Sequence, residues 1–149
     1  MTRITEVKIK IESTIENLNA AGLPEGDAEK TSSYADGFYK VTEGESTLMY
    51  AEENEGGRSE SEIICYDKGV LVKRRGAIEC ELRFEEGKSL SSIYAVPPYK
   101  FDTKVTAKRV RVNLDEDGGS IDLLYNMKIG GAEKSARMKI WILPCSNQT

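Results

Sequence analysis

Ile121-Asp122-Leu123-Leu124-Tyr125-Asn126-Met127-Lys128-Ile129 sets Ile121, Leu123, Tyr125, Met127 and Ile129 at every second position. That is the period of a strand with one buried face. The stretch before it carries Val110, Val112 and Leu114, and the stretch after it carries Ala136, Met138, Ile140 and Ile142. A turn within 115–120 places Leu114 opposite Ile121, Val112 opposite Leu123 and Val110 opposite Tyr125. A turn at Gly130-Gly131 places Tyr125 opposite Ala136, Leu123 opposite Met138 and Ile121 opposite Ile140. Both turns give the same apolar face, so the stretch is expected to form a three-stranded antiparallel meander.

The rest of the chain repeats this style. Residues 3–16 alternate, with Val7, Ile9, Ile11 and Ile15 on one face. Residues 17–30, with Gly22, Pro24 and Gly26 and few large apolar side chains, are expected as a mobile loop insertion. Strands over 31–41 and 46–53 join around Gly44-Glu45, with Val41 opposite Leu48 and Tyr39 opposite Tyr50. An acidic, glycine-rich turn over 54–58 leads to a strand at 61–66. Asp67-Lys68-Gly69 has the composition of a three-residue hairpin loop, which would set Tyr66 against Val70 and Ile64 against Val72. A three-residue loop at Arg75-Gly76-Ala77 would set Arg74 against Ile78, Val72 against Cys80 and Val70 against Leu82. The inner face is then Ile64, Tyr66, Val70, Val72, Arg74, Ile78, Cys80, Leu82 and Phe84, with Cys65 on the opposite face from Cys80. Residues 88–96 form a strand ended by Pro97-Pro98. Phe101, Thr103, Val105 and Ala107 keep odd phase, whereas Val110, Val112 and Leu114 keep even phase, which predicts a bulge near Lys108-Arg109. The tail, 144–149, is expected to fray.

Some eight to ten short antiparallel strands with tight sequential turns predict a single all-β domain over 1–149. Its simplest form is a closed up-and-down barrel, because closure hides the strand edges. With 149 residues, 39% hydrophobic and 31% charged, the chain can bury a core without disulfides. The net charge of −4 argues against a nucleic-acid partner. The longest apolar run, 140–143, is too short to span a bilayer as a helix, and the alternating N-terminus lacks the continuous apolar core of a secretory signal. Three cysteines without a Cys-x-x-Cys pair point to a reducing cytoplasm. The chain holds no histidine, which excludes Ser-His-Asp and Cys-His catalysis and His-ligated zinc. No enzyme activity, metal or cofactor is expected, and no pair of carboxylates stands on an apolar face.

Gly37-Phe38-Tyr39, Leu48-Met49-Tyr50-Ala51-Glu52-Glu53 and Val70-Leu71-Val72-Lys73-Arg74-Arg75-Gly76-Ala77 followed by Phe84 carry a family resemblance. So do Tyr94 before Pro97-Pro98 and Leu114-Asp115-Glu116-Asp117-Gly118-Gly119 with Tyr125. In order and spacing they resemble the YwiB-like bacterial domains of unknown function, across roughly 4–142. The chain departs from that pattern at 96–99, at Ala107 and in a longer 17–30 stretch. The resemblance implies a calycin-like barrel of lipocalin type and supplies no activity and no catalytic residues.

The candidate ligand contacts are Arg74, Tyr39, Tyr50, Tyr66, Tyr94 and Tyr125. An inward guanidinium needs a partner. It either anchors a ligand carboxylate or phosphate, pairs with an internal carboxylate, or snorkels out of the barrel end. Inward tyrosines either line a cavity or pack the core. The favoured reading is a barrel that binds a small, partly apolar or anionic molecule inside. The alternative is a protein-interaction module or homodimer using Ile63, Leu71 and Trp141 on an outer face.

Overall fold

The computed structural model describes residues 3–54, 57–96 and 98–145. It contains ten strands: β1 (Arg3–Leu18), β2 (Pro24–Thr42), β3 (Glu45–Asn54), β4 (Gly57–Tyr66), β5 (Gly69–Gly76), β6 (Glu79–Phe84), β7 (Ser89–Val96), β8 (Tyr99–Asp115), β9 (Gly118–Ile129) and β10 (Ala132–Pro144). Each pairs antiparallel with its sequence neighbours, and β1 pairs with β10, from Val7 opposite Pro144 to Leu18 opposite Glu133. The result is the expected closed up-and-down barrel.

Alternation supplies the core. Val7, Ile9, Leu48, Ile63, Val70, Ile121, Leu123, Ile140 and Ile142 are almost fully buried inside, while the intervening positions are largely charged or polar. This apolar-in, charged-out pattern is the inverse of a membrane barrel. Among the described residues no helix is long and apolar enough to cross a membrane. The end that holds the β2–β3, β4–β5, β6–β7 and β8–β9 connections is packed shut. There Tyr39 donates to the Asp115 carbonyl at 2.7 Å. Deeper in, Phe84 meets Tyr125 edge-on, ring centres 4.8 Å apart.

The bulge expected near Lys108-Arg109 is present between Ala107 and Arg109. The β6–β7 loop satisfies it. Gly87 N–H donates to Ala107 O at 2.8 Å, Ala107 N–H donates to Lys88 O at 3.1 Å, and the Glu86 carboxylate accepts from Val110 N–H at 2.9 Å. A phase change in the sequence is thereby converted into a braced corner.

Several registers differ from expectation. The β9–β10 pairs are as predicted: Tyr125–Ala136, Leu123–Met138 and Ile121–Ile140. In β8–β9, however, Val110 faces Leu123 and Val112 faces Ile121. In β2–β3, Tyr39 faces Leu48 and Gly37 faces Tyr50, and in β5–β6, Arg74 faces Cys80 and Val72 faces Leu82. These slips of two residues keep the same faces inward. The β4–β5 slip is of one residue and does not: Tyr66 faces Gly69 and Cys65 faces Val70. Ser59, Ser61, Ile63 and Cys65 are therefore inside, and Ile64 and Tyr66 outside. Cys65 and Cys80 share the interior and are both free thiols.

The cause is glycine. Gly69 is not a left-handed turn residue: a Cβ there would sit 1.9 Å from the Phe84 carbonyl oxygen, so glycine lets β6 approach β5. Gly119, at φ +139°, likewise lies inside β9, where a Cβ would meet the Asn113 carbonyl oxygen at 1.9 Å. Residues 17–30 are not a loop. β1 continues to Leu18, and β2 starts at Pro24 after a turn in which Asn19 Oδ1 accepts from Ala21 N–H at 2.9 Å and Leu23 N–H at 3.1 Å. At the other terminus, Pro144 closes β10 and Cys145 N–H donates to Glu6 O at 3.4 Å. Pro97 of the expected bend, residues 55–56 of the acidic turn and residues 146–149 of the tail lie outside the described residues.

Gly119→Ala is expected to lower stability by at least ~1–3 kcal/mol from backbone strain alone. Urea unfolding measures it, and a variant as stable as the parent would contradict the close approach of β8 and β9.

Candidate functional site

The unpacked end carries the β1–β2, β3–β4, β5–β6, β7–β8 and β9–β10 connections. Near it the inward residues turn polar. Cross-strand pairing aligns Tyr50 (β3), Ser61 (β4), Arg74 (β5), Cys80 (β6) and Tyr94 (β7) as one continuous row. One step toward the mouth, Glu52, Ser59 and Gly76 form a second row. Two of the expected contacts, Tyr50 and Arg74, are thus neighbours of two serines.

The hydrogen-bond accounting here is incomplete. Ser59 and Ser61 are only 3% and 4% exposed, and neither hydroxyl makes a well-formed hydrogen bond, although the Tyr50 phenol stands against Ser61. The Arg74 Nε is buried and also without a partner. Among the described residues no carboxylate lies within 4.0 Å of the guanidinium. The internal salt bridge that would make Arg74 purely structural is therefore not formed among the described residues. Orphaned buried donors of this kind are unusual in a folded interior. They are placed where a ligand could satisfy them.

Electrostatics follow from the crowding. Burial opposes the Arg74 charge, but Tyr50, Cys80, Glu52 and Tyr94 more than offset it and hold the guanidinium above its ordinary pKa. Burial pushes the Tyr50 phenol up, opposed by Arg74, helped by Glu52 and eased by the neighbouring Ser61 hydroxyl. Burial likewise raises Tyr94 and Cys80, with Arg74 pulling both back. The Tyr125 phenol is pushed up to about 12, chiefly by burial. Tyrosines and thiol are thus neutral at neutral pH, and Arg74 is a lone cation among them.

Arg74, Cys80, Tyr94 and Tyr125 line an interior cavity of about 240 Å³ with an apolar body of Val72, Leu82, Phe84, Met127 and Met138. Its rim reaches the half-exposed Ser13, the exposed Thr31 and the exposed Arg137, whose guanidinium is held by Asp122 at 2.9 Å. The wall is split beside it. The β2–β3 ladder stops at Gly37–Tyr50, although β2 begins at Pro24 and β3 runs to Asn54. Across that split the Ser33 hydroxyl donates to Glu52 Oε2 at 3.5 Å. A larger groove of about 500 Å³ runs over Phe38 and Met49 beside the split and reaches Tyr50 and Ser61 of the polar row; its acids Asp36, Glu60 and Glu62 match its bases Arg58, Lys73 and Arg75.

Four of the six expected contacts therefore converge: Arg74, Tyr50, Tyr94 and Tyr125. Tyr39 does not join them; it is inside at the opposite, packed end, latched to Asp115. Tyr66 is on the outer wall, where it donates to Glu85 Oε2 at 2.7 Å and accepts from Arg83 at 3.3 Å. The expected outer patch does not form. Ile63 is a fully buried interior residue, Leu71 is 8% exposed, and Trp141 lies on β10 under Lys10 and Lys139. Sequence reading missed Glu52, Ser59 and Ser61. The signal was in β4: Glu60 and Glu62 occupy its even positions, which marks that face as solvent and the serines as interior.

Because the folded chain holds the Tyr125 proton more tightly than an unfolded one, stability is full below pH 10 and falls as pH rises from 10 through about 12. The expected readout is phenolate absorbance that lags in native protein, with a melting temperature that drops in that window and drops less in Tyr125→Phe. Complete ionisation of every tyrosine near pH 10 in folded protein would contradict the buried placement.

Comparison with known proteins places the chain and its fold. The uncharacterised β-barrel protein YwiB of Bacillus subtilis is 28% identical over 134 residues, which cover 90% of this chain and 89% of that relative. The crystal structure of the Bacillus subtilis YwiB protein superposes with a TM-score of 0.83 at 26% identity, over 96% of this chain and 94% of that one. Residues 9–142 match the family model described as a domain of unknown function, DUF1934. The chain thus belongs to the DUF1934 family of β-barrel domains.

Proposed function

We propose that this chain is a calycin-like carrier or receptor of the cytoplasm that holds a small, partly apolar anion in its interior. One observation carries the reading: Arg74, partly buried and with a buried, unpartnered Nε, lines a mostly apolar cavity, and in the rows beside it stand the buried hydroxyls of Ser59 and Ser61, neither in a well-formed hydrogen bond. Arg74 and the serines donate to the anion, Tyr50 and Tyr94 flank it, and the apolar body lies against Tyr125, Met127 and Met138. At about 240 Å³ the cavity is smaller than the ~300 Å³ at which drug-sized sites begin, so the ligand is small. Three unpaired thiols fit a reducing compartment.

A second reading, a protein-docking role, draws on a different surface from the one the sequence suggested. Ile93, Val96 and Tyr99 are 57%, 43% and 66% exposed on the β7–β8 hairpin. If that hairpin docks a second copy, light scattering reports a dimer that Tyr99→Ser dissolves.

Native mass spectrometry of freshly purified protein is expected to show a co-purified small molecule. Arg74→Met is expected to lose that mass and to gain about 1 kcal/mol of stability, because a partly buried charge with no ion-pair partner among the described residues is replaced by an apolar side chain. A bare chain, with Arg74→Met destabilised by ~3–5 kcal/mol, would instead mark Arg74 as a structural charge.

A further inference from the structure

The anion site does not contain only a cation. Glu52 points into the same mouth from β3, in the row next to Arg74, and is half-buried. Its one hydrogen bond among the described residues is the long contact from Ser33 at 3.5 Å, and no lysine or arginine lies within 4.0 Å of it. Two opposite charges thus face one interior without meeting each other. The strand between them, β4, contributes only Ser59 and Ser61, short side chains whose buried hydroxyls lack a well-formed hydrogen bond. Opposite Ser59, β5 contributes Gly76, a glycine that lets the β4 backbone at Arg58 pack closely and that adds no side chain to this row. The side chains between the two charges in these rows are therefore short hydroxyls rather than packed apolar groups. Had the pair been structural, direct contact would have been the cheaper arrangement, since separated charges in a half-buried site keep the desolvation cost and lose most of the attraction.

Resting on the anion-site reading above, we infer that the ligand is a zwitterion of the apolar α-amino-acid class. Its carboxylate lies on Arg74 and Ser61, its ammonium on Glu52 with Ser59 as a further acceptor, and its side chain enters the apolar cavity. Serine hydroxyls suit this division because each can donate to a carboxylate or accept from an ammonium. The neutral Tyr50 phenol next to Arg74 can donate to the same carboxylate. The cavity accepts a short, unbranched apolar chain against Met127 and Met138, whose flexible thioethers adapt to shape.

Isothermal titration of the whole chain with norleucine, hexanoate and hexylamine separates the charges on a matched apolar chain. Norleucine is expected to bind at least about tenfold more tightly than either single-charge analogue. Glu52→Gln, which keeps the side-chain shape, is expected to bring norleucine down to the level of hexanoate while leaving hexanoate unchanged or improved. Arg74→Met is expected to lose both, with thermal melting confirming that each variant folds. Norleucine binding no tighter than hexanoate, or Glu52→Gln weakening both equally, would overturn the zwitterion and leave the anion site standing. Failure of both norleucine and hexanoate to bind the folded parent would overturn the anion site and this inference together.

Discussion

The ladder between β1 and β10 is the constraint on which everything else rests. Without it the meander is an open sheet with two raw edges and two solvent-facing sides. With it, alternate positions acquire an inside, and every polar group on that side must be satisfied or explained. Ile9, Ile11, Ile140 and Ile142 make the ladder worth closing, since they are buried only when both strands are present. Arg74, Glu52, Ser59 and Ser61 owe their standing as a site to the same closure, because on an open sheet they would be ordinary hydrated side chains.

The barrel divides its interior unequally. At the packed end, large apolar side chains fill the space and the Tyr39 hydroxyl finds a carbonyl. At the other end the two shortest ladders, β5–β6 and β6–β7, both carry pairs of the polar row, and β2–β3 stops at Gly37–Tyr50 beside it; β6–β7 has only the pairs Glu79–Ala95 and Cys80–Tyr94. Stability is thus concentrated away from the site, and looseness is placed beside it, as is usual where a ligand must enter.

Most of this architecture was legible in the chain. The period-two runs gave the strands, and the phase change after Ala107 gave the bulge, because both are face-of-sheet signals that survive register error. What was not legible was the role of glycine. Gly69 carries the usual sign of a turn but serves the approach of a neighbouring carbonyl, which only three-dimensional adjacency reveals. Taking it as a turn residue slips β4 by one position, and a one-residue slip exchanges inside for outside. That error brought Tyr66 into the imagined site and put Ser59 and Ser61 out of it. Arg74 survived because its own strand slipped by two. The 17–30 stretch misled for a related reason: its polar alternation belongs to an extended hairpin whose far end has little apolar core to cover.

Closure through the strands nearest the two termini also fixes when the barrel can exist. Hairpins from β1–β2 through β8–β9 join residues close in sequence, so they can form as the chain leaves the ribosome. The seam from Val7–Pro144 to Leu18–Glu133 joins residues more than a hundred positions apart and waits for β10. Until then the nascent sheet carries two unpaired borders and an apolar side open to water. The domain therefore assembles after synthesis of its last strand, and that interval is when chaperones or neighbouring nascent chains meet it.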